Sequence, residues 1–258
     1  MNTHTTTDTS NVAISMHLLT GSSSLTSGEN VQLSFKPVNH HEPFAIVPLA
    51  VQHESAFHLI VLSEDLRLFQ HLHPELQPDG TYNVTLTFPV GGDYLLVADY
   101  QPVGHAPIVD KIPVQVKGGN TGKPVEDTTE TLVSVADGFR VSIEATLPFL
   151  SGAHSLIPIR IERDNKAVTA ADITPYLGAV AHMILVSKTD KDFLHIHPEA
   201  GTDYPVVGHT LFSKPDIYRM WVQFQVGDHL HTADFTLDVK QGTSHHEHAD
   251  AHAHHHHH

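Results

Sequence analysis

Cysteine is absent from the 258 residues of this chain, and its absence excludes several kinds of chemistry. The chain cannot form a disulfide, a thiolate nucleophile, an iron–sulfur cluster or a cysteine-bound zinc site. A blue-copper centre also needs a thiolate ligand and is excluded for the same reason. Only four methionines are present, one of them Met1, which argues against a methionine-rich copper(I) site.

Basic residues and long apolar runs are scarce as well. The chain has 14 Lys and Arg against 29 Asp and Glu, a net charge of −15 with neutral histidines. An acidic surface repels phosphates, and no basic face is available for anionic lipids, so we expect no nucleic-acid partner. No apolar run approaches the roughly 20 residues that cross a bilayer, so we expect no membrane insertion.

Histidine is the residue that the chain has in excess, with 25 copies. Nine of them lie in the tail SHHEHADAHAHHHHH, whose final run is typical of a purification tag. The HHEHADAH before that run is typical of a loosely metal-binding segment. The other sixteen histidines lie in the body of the chain, where we expect the functional residues.

An internal duplication organises the body of the chain. The segment HLIVLSEDLRLFQHLHPE from His58 aligns without a gap with HMILVSKTDKDFLHIHPE from His182, and eight of eighteen positions are identical. The same offset of 124 residues also pairs His105 with His229. We therefore predict a first repeat at residues 1–117, a linker at 118–131, a second repeat at 132–241 and a histidine-rich tail at 242–258.

The apolar segments are short, alternate with polar residues and are separated by Gly, Pro, Asn and Asp, a pattern that predicts antiparallel β-sandwiches. We predict an all-β chain of two tandem immunoglobulin-like sandwiches, with a bicupin as the alternative. Asp79-Gly80 predicts a tight turn, and Tyr94 is placed like the tyrosines that pin the corner of such sandwiches. The clearest predicted strands are Val31–Phe35, Tyr82–Phe88, Tyr94–Tyr100, Phe139–Ala145 and Ile157–Ile161.

The matched histidines predict metal sites. Residues i and i+2 of a strand share a face, so each HxH presents two imidazoles side by side. A hairpin from the preceding apolar strand would bring the histidine that opens that strand to the pair. Three or four imidazoles suit Cu(II), Zn(II), Ni(II) or Fe(II), and copper(II) has the highest affinity, so we favour copper over zinc. The predicted ligands are His58, His71, His73, His105, His182, His195, His197, His229 and His231, with Glu75 and Glu199 as ligands or as acceptors that orient an imidazole.

The order of motifs resembles a group of exported bacterial β-sandwich domains that are associated with heavy-metal, especially copper, handling. The motifs are FxHxHPE after a strand that opens with histidine, then DG-x-Y, then GDY before an aromatic strand. The second repeat departs from the pattern, with GTDY and PDIY in place of the two turns. The resemblance implies a periplasmic or secreted metal-binding module, and its motif falls on His58, His71, His73, His182, His195 and His197.

Three functions remain open at this point. The first is a non-catalytic protein that buffers, carries or delivers a transition metal, with a metal-transport protein as a partner. The second is an enzyme whose histidine-bound metal activates water or dioxygen. The third is a structural or adhesive sandwich repeat. The first fits the duplicated histidines and the lack of recognised catalytic motifs, and no catalytic residue is predicted. We expect a periplasmic or secreted protein whose signal peptide has been removed.

Overall fold

The structure is a computed structural model that describes residues 13–21, 24–119 and 128–242. The polar N-terminal segment, most of the predicted linker and the histidine-rich tail from residue 243 lie outside the described residues. The described chain forms two β-sandwiches, so the predicted immunoglobulin-like fold is confirmed and the bicupin alternative is wrong.

The first sandwich packs two four-stranded sheets. Its outer sheet has the order β1-β2-β6-β5, and its inner sheet has the order β4-β3-β7-β8. The strands are β1 (Ile14–Leu18), β2 (Asn30–Asn39), β3 (Phe57–Ser63), β4 (Phe69–Leu72), β5 (Glu75–Leu76), β6 (Tyr82–Thr87), β7 (Gly92–Tyr100) and β8 (Ile108–Val116).

The second sandwich repeats this plan with longer strands. Its outer sheet has the order β13-β12-β10-β9, with β17 also pairing with β12, and its inner sheet runs β11-β19-β18-β15-β16, with β14 on β18. A short 3-10 turn covers Ala170–Asp172. The strands are β9 (Val133–Ala136), β10 (Phe139–Ile143), β11 (Phe149–Leu150), β12 (His154–Arg163), β13 (Lys166–Ala167), β14 (Ile173–Thr174), β15 (His182–Ser187), β16 (Phe193–Ile196), β17 (Val206–Leu211), β18 (Asp216–Val226) and β19 (His229–Lys240).

Alternation along the strands builds the core of each sandwich. On β2 the side chains of Val31, Leu33 and Phe35 are buried, while the residues between them are partly or fully exposed. Phe35 meets Phe57 of the facing sheet edge to face, with ring centroids 5.2 Å apart. Each such side chain stabilises the sandwich by about 1.5–3 kcal/mol through burial.

Two turns of the first sandwich agree with the sequence predictions. The Oδ1 atom of Asp79 accepts hydrogen bonds from the backbone N–H and hydroxyl of Thr81, and Gly80 takes a positive φ of 82°. Glycine suits this position because it adopts positive φ at no steric cost. The hydroxyl of Tyr94 donates to the carbonyl oxygen of Val90 at 2.9 Å, and this bond pins the corner before β7.

The two inner sheets pack against each other. All seven residues of β3 and all six of β15 are buried, so both faces of these strands are covered. One face of β3 joins the core of its own sandwich, and the other joins a third apolar cluster, which we call the interdomain core. Its buried residues are Ile60, Leu62, Leu66, Leu95, Val97, Ile184, Val186, Phe193 and Trp221.

Aromatic stacking and a hydrogen bond also cross the interface between the sandwiches. The ring of Phe69 stacks on Trp221, with centroids 4.7 Å apart and planes 9° from parallel. The Nε atom of Arg219 donates to the carbonyl oxygen of Leu66 at 3.3 Å. The interface therefore brings together equivalent residues of the two inner sheets, such as Ile60 with Ile184 and Phe69 with Phe193.

Candidate metal centre

Strand register places two histidines of each repeat on the interdomain face. In the first repeat His71 lies opposite Ile60 of β3, and His58 lies opposite Asp99 of β7. Ile60 belongs to the interdomain core, and directly opposite residues share a face. The histidines therefore continue the apolar interface at its end. The second repeat has the same register, with His195 opposite Ile184 and His182 opposite Gln223.

Six histidines from the two repeats meet at this end of the interface. The rings of His58 and His195 are 5.1 Å apart between centroids, and those of His71 and His182 are 5.5 Å apart. Each repeat contributes the histidine that opens its inner strand and both histidines of its HxH motif. We call this set the histidine cluster: His58, His71, His73, His182, His195 and His197.

Two groups of three imidazoles have the spacing of metal ligands. One group is His58, His71 and His195, and the other is His182, His195 and His197. In each group the candidate ligand nitrogens all lie within 4.8 Å of one another. The first group takes ligands from both repeats, so a cation held by that group would bridge the two sandwiches. His195 belongs to both groups.

Backbone carbonyls determine which nitrogen of His58 and His182 carries hydrogen. The Nε2 atom of His58 lies 3.2 Å from the carbonyl oxygen of Gln52, and that of His182 lies 3.0 Å from the carbonyl oxygen of Tyr176. A carbonyl oxygen only accepts, so Nε2 donates in both rings and Nδ1 carries the lone pair. Both Nδ1 atoms face into the cluster.

His71 and His195 have the opposite tautomer for the same reason. The Nδ1 atom of His71 lies 2.8 Å from Oε1 of Gln223, and that of His195 lies 2.8 Å from Oδ2 of Asp99. The amide nitrogen of Gln223 donates to the hydroxyl of Thr232, so its oxygen is the atom that faces His71. Nδ1 therefore donates in both rings, and Nε2 presents its lone pair to the cluster.

The inward nitrogens approach one another closely. The Nδ1 atom of His58 is 3.2 Å from Nε2 of His71, and Nδ1 of His182 is 3.4 Å from Nε2 of His195. In these tautomers both nitrogens of each pair carry lone pairs, and a cation placed between them would offset their repulsion. Two imidazoles on a tetrahedral ion with bonds of about 2.0–2.1 Å have nitrogens about 3.3–3.4 Å apart. The observed separations match this value.

The second histidine of each HxH motif adds an unpaired nitrogen. The Nε2 atoms of His73 and His197 are buried and have no hydrogen-bond partner among the described residues. A loop of the opposite repeat covers each ring: His53 stacks on His197 with centroids 3.6 Å apart, and Tyr176 meets His73 edge to face. Buried polar atoms without a partner are rare in native proteins and call for a physical account.

Burial disfavours protonation of the cluster. Desolvation lowers the pKa of His73 to about 3 and that of His182 to about 4. The same cause lowers the pKa of His58, His71 and His197, and neighbouring imidazoles lower the last two further. Near pH 7 these rings are neutral, so their inward lone pairs are available to a metal ion.

The open space beside the cluster is small. A cavity of about 10 Å³ lies beside the cluster, and it is lined by Gln52, Ala56, His58, Asp99, Tyr100, Gln101, Pro107, His195 and His197. This volume is about that of one water-sized sphere. The cavity therefore has room for an ion or a water molecule, and none for an organic substrate.

Three histidines that the sequence analysis named as ligands lie elsewhere. His105 is exposed in the turn after β7, and His229 is exposed at the start of β19. His231 lies opposite Phe224 on the face of the inner sheet that joins its own sandwich core, and its Nδ1 meets Asp137 at 2.8 Å. The prediction missed this because an HxH spacing shows that two side chains share a face without showing which face.

Glu75 and Glu199 do not supply the contacts that orient the imidazoles. Both side chains are exposed, and their residues pair through the backbone with Asn83 and Val207. The structure gives the orienting role to Asp99 and Gln223, which the sequence analysis did not name. The signal was available, because both are polar residues within apolar strands and lie 124 residues apart, at equivalent positions of the two repeats.

Fold and site together define a protein of two immunoglobulin-like sandwiches with a histidine cluster between their inner sheets. The chain belongs to the family described as Domain of unknown function (DUF8832), whose model matches residues 8–118 and 133–241. The two matches fall on the two repeats. No significant relative was found among curated proteins. No helix among the described residues is long and apolar enough to span a membrane.

Solved structures that match this chain include modular repeats. The fibronectin(III)-like modules of Clostridium thermocellum CbhA are 14% identical with a TM-score of 0.24, and the match covers 95% of this chain and 100% of that chain. A tetra-tandem repeat of a large adhesion protein is 11% identical with a TM-score of 0.29, covering 87% and 49%. A bacterial ice-binding adhesin is 7% identical with a TM-score of 0.26, covering 89% and 64%. This chain therefore spans about half to two thirds of the two adhesin chains.

Proposed function

We propose that this protein binds a divalent transition-metal ion between its two sandwiches, through the histidine cluster, and holds it for buffering, carriage or delivery. The observation that carries the proposal is the direction of four imidazoles. His58, His71, His182 and His195 each donate a hydrogen bond outwards to an oxygen and turn a lone pair inwards. Outward donation of this kind is how metal-binding histidines are usually oriented.

The donor set favours copper(II), with zinc(II) as the next candidate. All candidate ligand atoms are imidazole nitrogens, which suit copper, zinc and nickel. Among these divalent ions copper(II) binds nitrogen sites most tightly. The chain offers no thiolate, which a site selective for softer ions would use.

Storage or carriage suits the site better than catalysis. A catalytic metal needs an open coordination position that a substrate can reach. His58, His182 and His195 are almost fully buried, and the adjoining cavity of about 10 Å³ admits only an ion or a water molecule. An enzyme that activates dioxygen or water on a larger substrate would need that cavity to widen.

We propose further that the protein works outside the cytoplasm, in the periplasm or after secretion, and passes its ion to a metal-transport protein. These two statements rest on the motif resemblance, and not on the geometry of the cluster. Fractionation of native cells, with detection of the chain in the periplasm and medium, tests the location. Recovery of the chain in the cytoplasm alone would contradict it.

Titration with Cu(II) and Zn(II) tests metal binding. The tail histidines would bind metal themselves, so every protein carries serine in place of His245, His246, His248, His252 and His254 to His258 while the full chain is kept. We expect one tight ion per chain, and we expect the double variant His182→Gln, His195→Gln to lose it. The matched control is His105→Ala, His229→Ala, which removes two exposed histidines and should bind as the parent does.

Electron paramagnetic resonance of the Cu(II)-loaded parent gives a second measurement that does not depend on a variant folding. We expect hyperfine coupling from at least three imidazole nitrogens. If the parent takes up less than one ion per chain, or the double variant binds as tightly as the parent, the proposal is wrong.

A structural or adhesive role is the second candidate. The observation that favours it is the interdomain core, which holds the two sandwiches together through apolar contacts that need no metal. If this role is correct, the parent and the double variant will show equal, weak metal affinity.

A further inference from the structure

The two halves of the histidine cluster differ at one pair of equivalent residues. The side chain of Gln223 orients His71, whereas that of Asp99 orients His195. These residues lie 124 positions apart and occupy the same register place in their sheets, opposite His182 and His58. One half therefore contains an amide where the other contains a carboxylate on a side chain one methylene shorter, and each lies 2.8 Å from Nδ1 of its histidine.

The difference in charge coincides with a difference in geometry. His195, the histidine that Asp99 orients, belongs to both groups of candidate ligands, whereas His71 belongs to one. Asp99 is the one carboxylate among the described residues that line the small cavity beside His58 and His195. The negative charge thus lies next to the imidazole that either ligand arrangement requires.

A buried carboxylate in this place has an electrostatic cost that a cation would offset. Asp99 is 5% exposed, lies at the edge of an apolar interface and pairs with Nδ1 of His195, so its charge is largely removed from water. The Oδ2 atom of Asp99 lies 2.8 Å from Nδ1 of His195, so its negative charge would stabilise a cation held by that ring. A divalent ion on Nε2 of His195 would receive this stabilisation through the ring.

We propose that Asp99 makes the two halves of the cluster inequivalent, so that the chain takes one divalent ion, bound through His195, and prefers divalent to monovalent cations. This inference rests on the proposed function. The carboxylate acts as a positioning residue: it holds the imidazole, increases its basicity and supplies one negative charge. Coulomb energy scales with the charge of the ion. Loss of the negative charge of Asp99 should therefore weaken the binding of a divalent ion more than that of a monovalent ion.

Two reciprocal substitutions test the proposal in the full chain with the serine tail. Asp99→Asn keeps an oxygen that accepts from Nδ1 of His195 and removes the charge. Gln223→Glu places the missing charge at the equivalent position of the other half. Titrations use Cu(II) and Zn(II) as divalent probes and Ag(I) as the monovalent probe, and thermal unfolding of the metal-free proteins reports folding.

We expect Asp99→Asn to lower the Cu(II) and Zn(II) affinity about 10–100-fold, the range for loss of a partner that orients a metal-binding histidine. The Ag(I) affinity should fall by a clearly smaller factor. We expect Gln223→Glu to keep the first ion and to add a second tight divalent ion at His71. If Asp99 had a merely structural role, Asp99→Asn would lower the affinity for all three ions equally.

Four results would overturn the inference. Equal loss for Ag(I) and the divalent ions in Asp99→Asn would show that charge is not the cause. An unchanged stoichiometry in Gln223→Glu would show that the halves are not distinguished by this pair, and this arm stands even if Asp99→Asn does not fold. A parent that binds no metal would refute the proposed function and this inference together, whereas a parent that binds with unaltered variants refutes this inference alone.

Discussion

Mild acid should destabilise the metal-free protein, and the histidine cluster determines the pH range. Burial lowers the pKa of His182 from 6.5 to about 4 in the folded chain. In the unfolded chain the same imidazole takes up a proton near pH 6.5, so the unfolded state binds more protons between these values. The stability from this group is therefore complete above pH 6.5 and is lost as the pH falls towards 4.

The size of the effect follows from that shift. One pKa unit corresponds to about 1.4 kcal/mol, so acidification from pH 7 to pH 5 should lower the free energy of unfolding by about 2 kcal/mol through His182 alone. The lowered pKa values of His58, His71, His73 and His197 act in the same direction. The carboxylates with lowered pKa, such as Asp65, lose their contribution only below about pH 4, so they do not overlap with this range.

Urea unfolding of the metal-free chain at pH 7, 6 and 5, followed by tryptophan fluorescence of Trp221, measures the effect. The variant His182→Gln should show a shallower dependence on pH, by up to one proton per molecule. Zn(II) in excess should shift the loss of stability to lower pH, because the ion competes with protons for the same lone pairs. Equal free energies of unfolding at pH 7 and pH 5 would refute the assignment of neutral, desolvated imidazoles.

Three other predictions follow from the packing and the site. Trp221→Ala should lower the free energy of unfolding by about 3–5 kcal/mol in urea titrations, because the indole is buried and stacks on Phe69 between the sandwiches. Tyr94→Phe should cost about 1 kcal/mol in the same assay through loss of the hydrogen bond to Val90, and an unchanged midpoint would contradict that role. Cu(II) at a hundredfold excess over its Kd should raise the free energy of unfolding of the parent by about 2.7 kcal/mol, and a chelator should reverse this gain. The double variant His182→Gln, His195→Gln should show no gain.

The sequence predicted the positions of the strands well and predicted less well which faces of the sheets are buried. The five clearest predicted strands coincide with β2, β6, β7, β10 and β12, because turn residues and period-two alternation are local signals. The hairpin that brings His58 to His71 was also predictable from the spacing of thirteen residues. The uninterrupted runs HLIVL and HMILV indicated burial on both faces, since a strand with one solvated face alternates.

The histidines that lie outside the cluster illustrate the same limit. His229 and His231 repeat the HxH spacing of the true cluster members, and His105 matches His229 at the repeat offset. Their spacing is right, but β19 turns His231 towards Phe224 in the sandwich core. Which face of a sheet meets another sheet depends on the packing of distant strands, and local spacing carries no information about it.

By itself the sequence determined that the chain is a duplication, that each copy is a β-sandwich and that each copy carries four histidines matched at one offset. Alternation and a constant offset are properties of the sequence itself and do not depend on tertiary packing. Only the tertiary structure decided that the two sets of histidines form one cluster, and that Asp99 and Gln223 orient them from the opposite repeat. Apolar faces pack wherever they bury most surface, and the burial of the inner sheets against each other is what brought those side chains together.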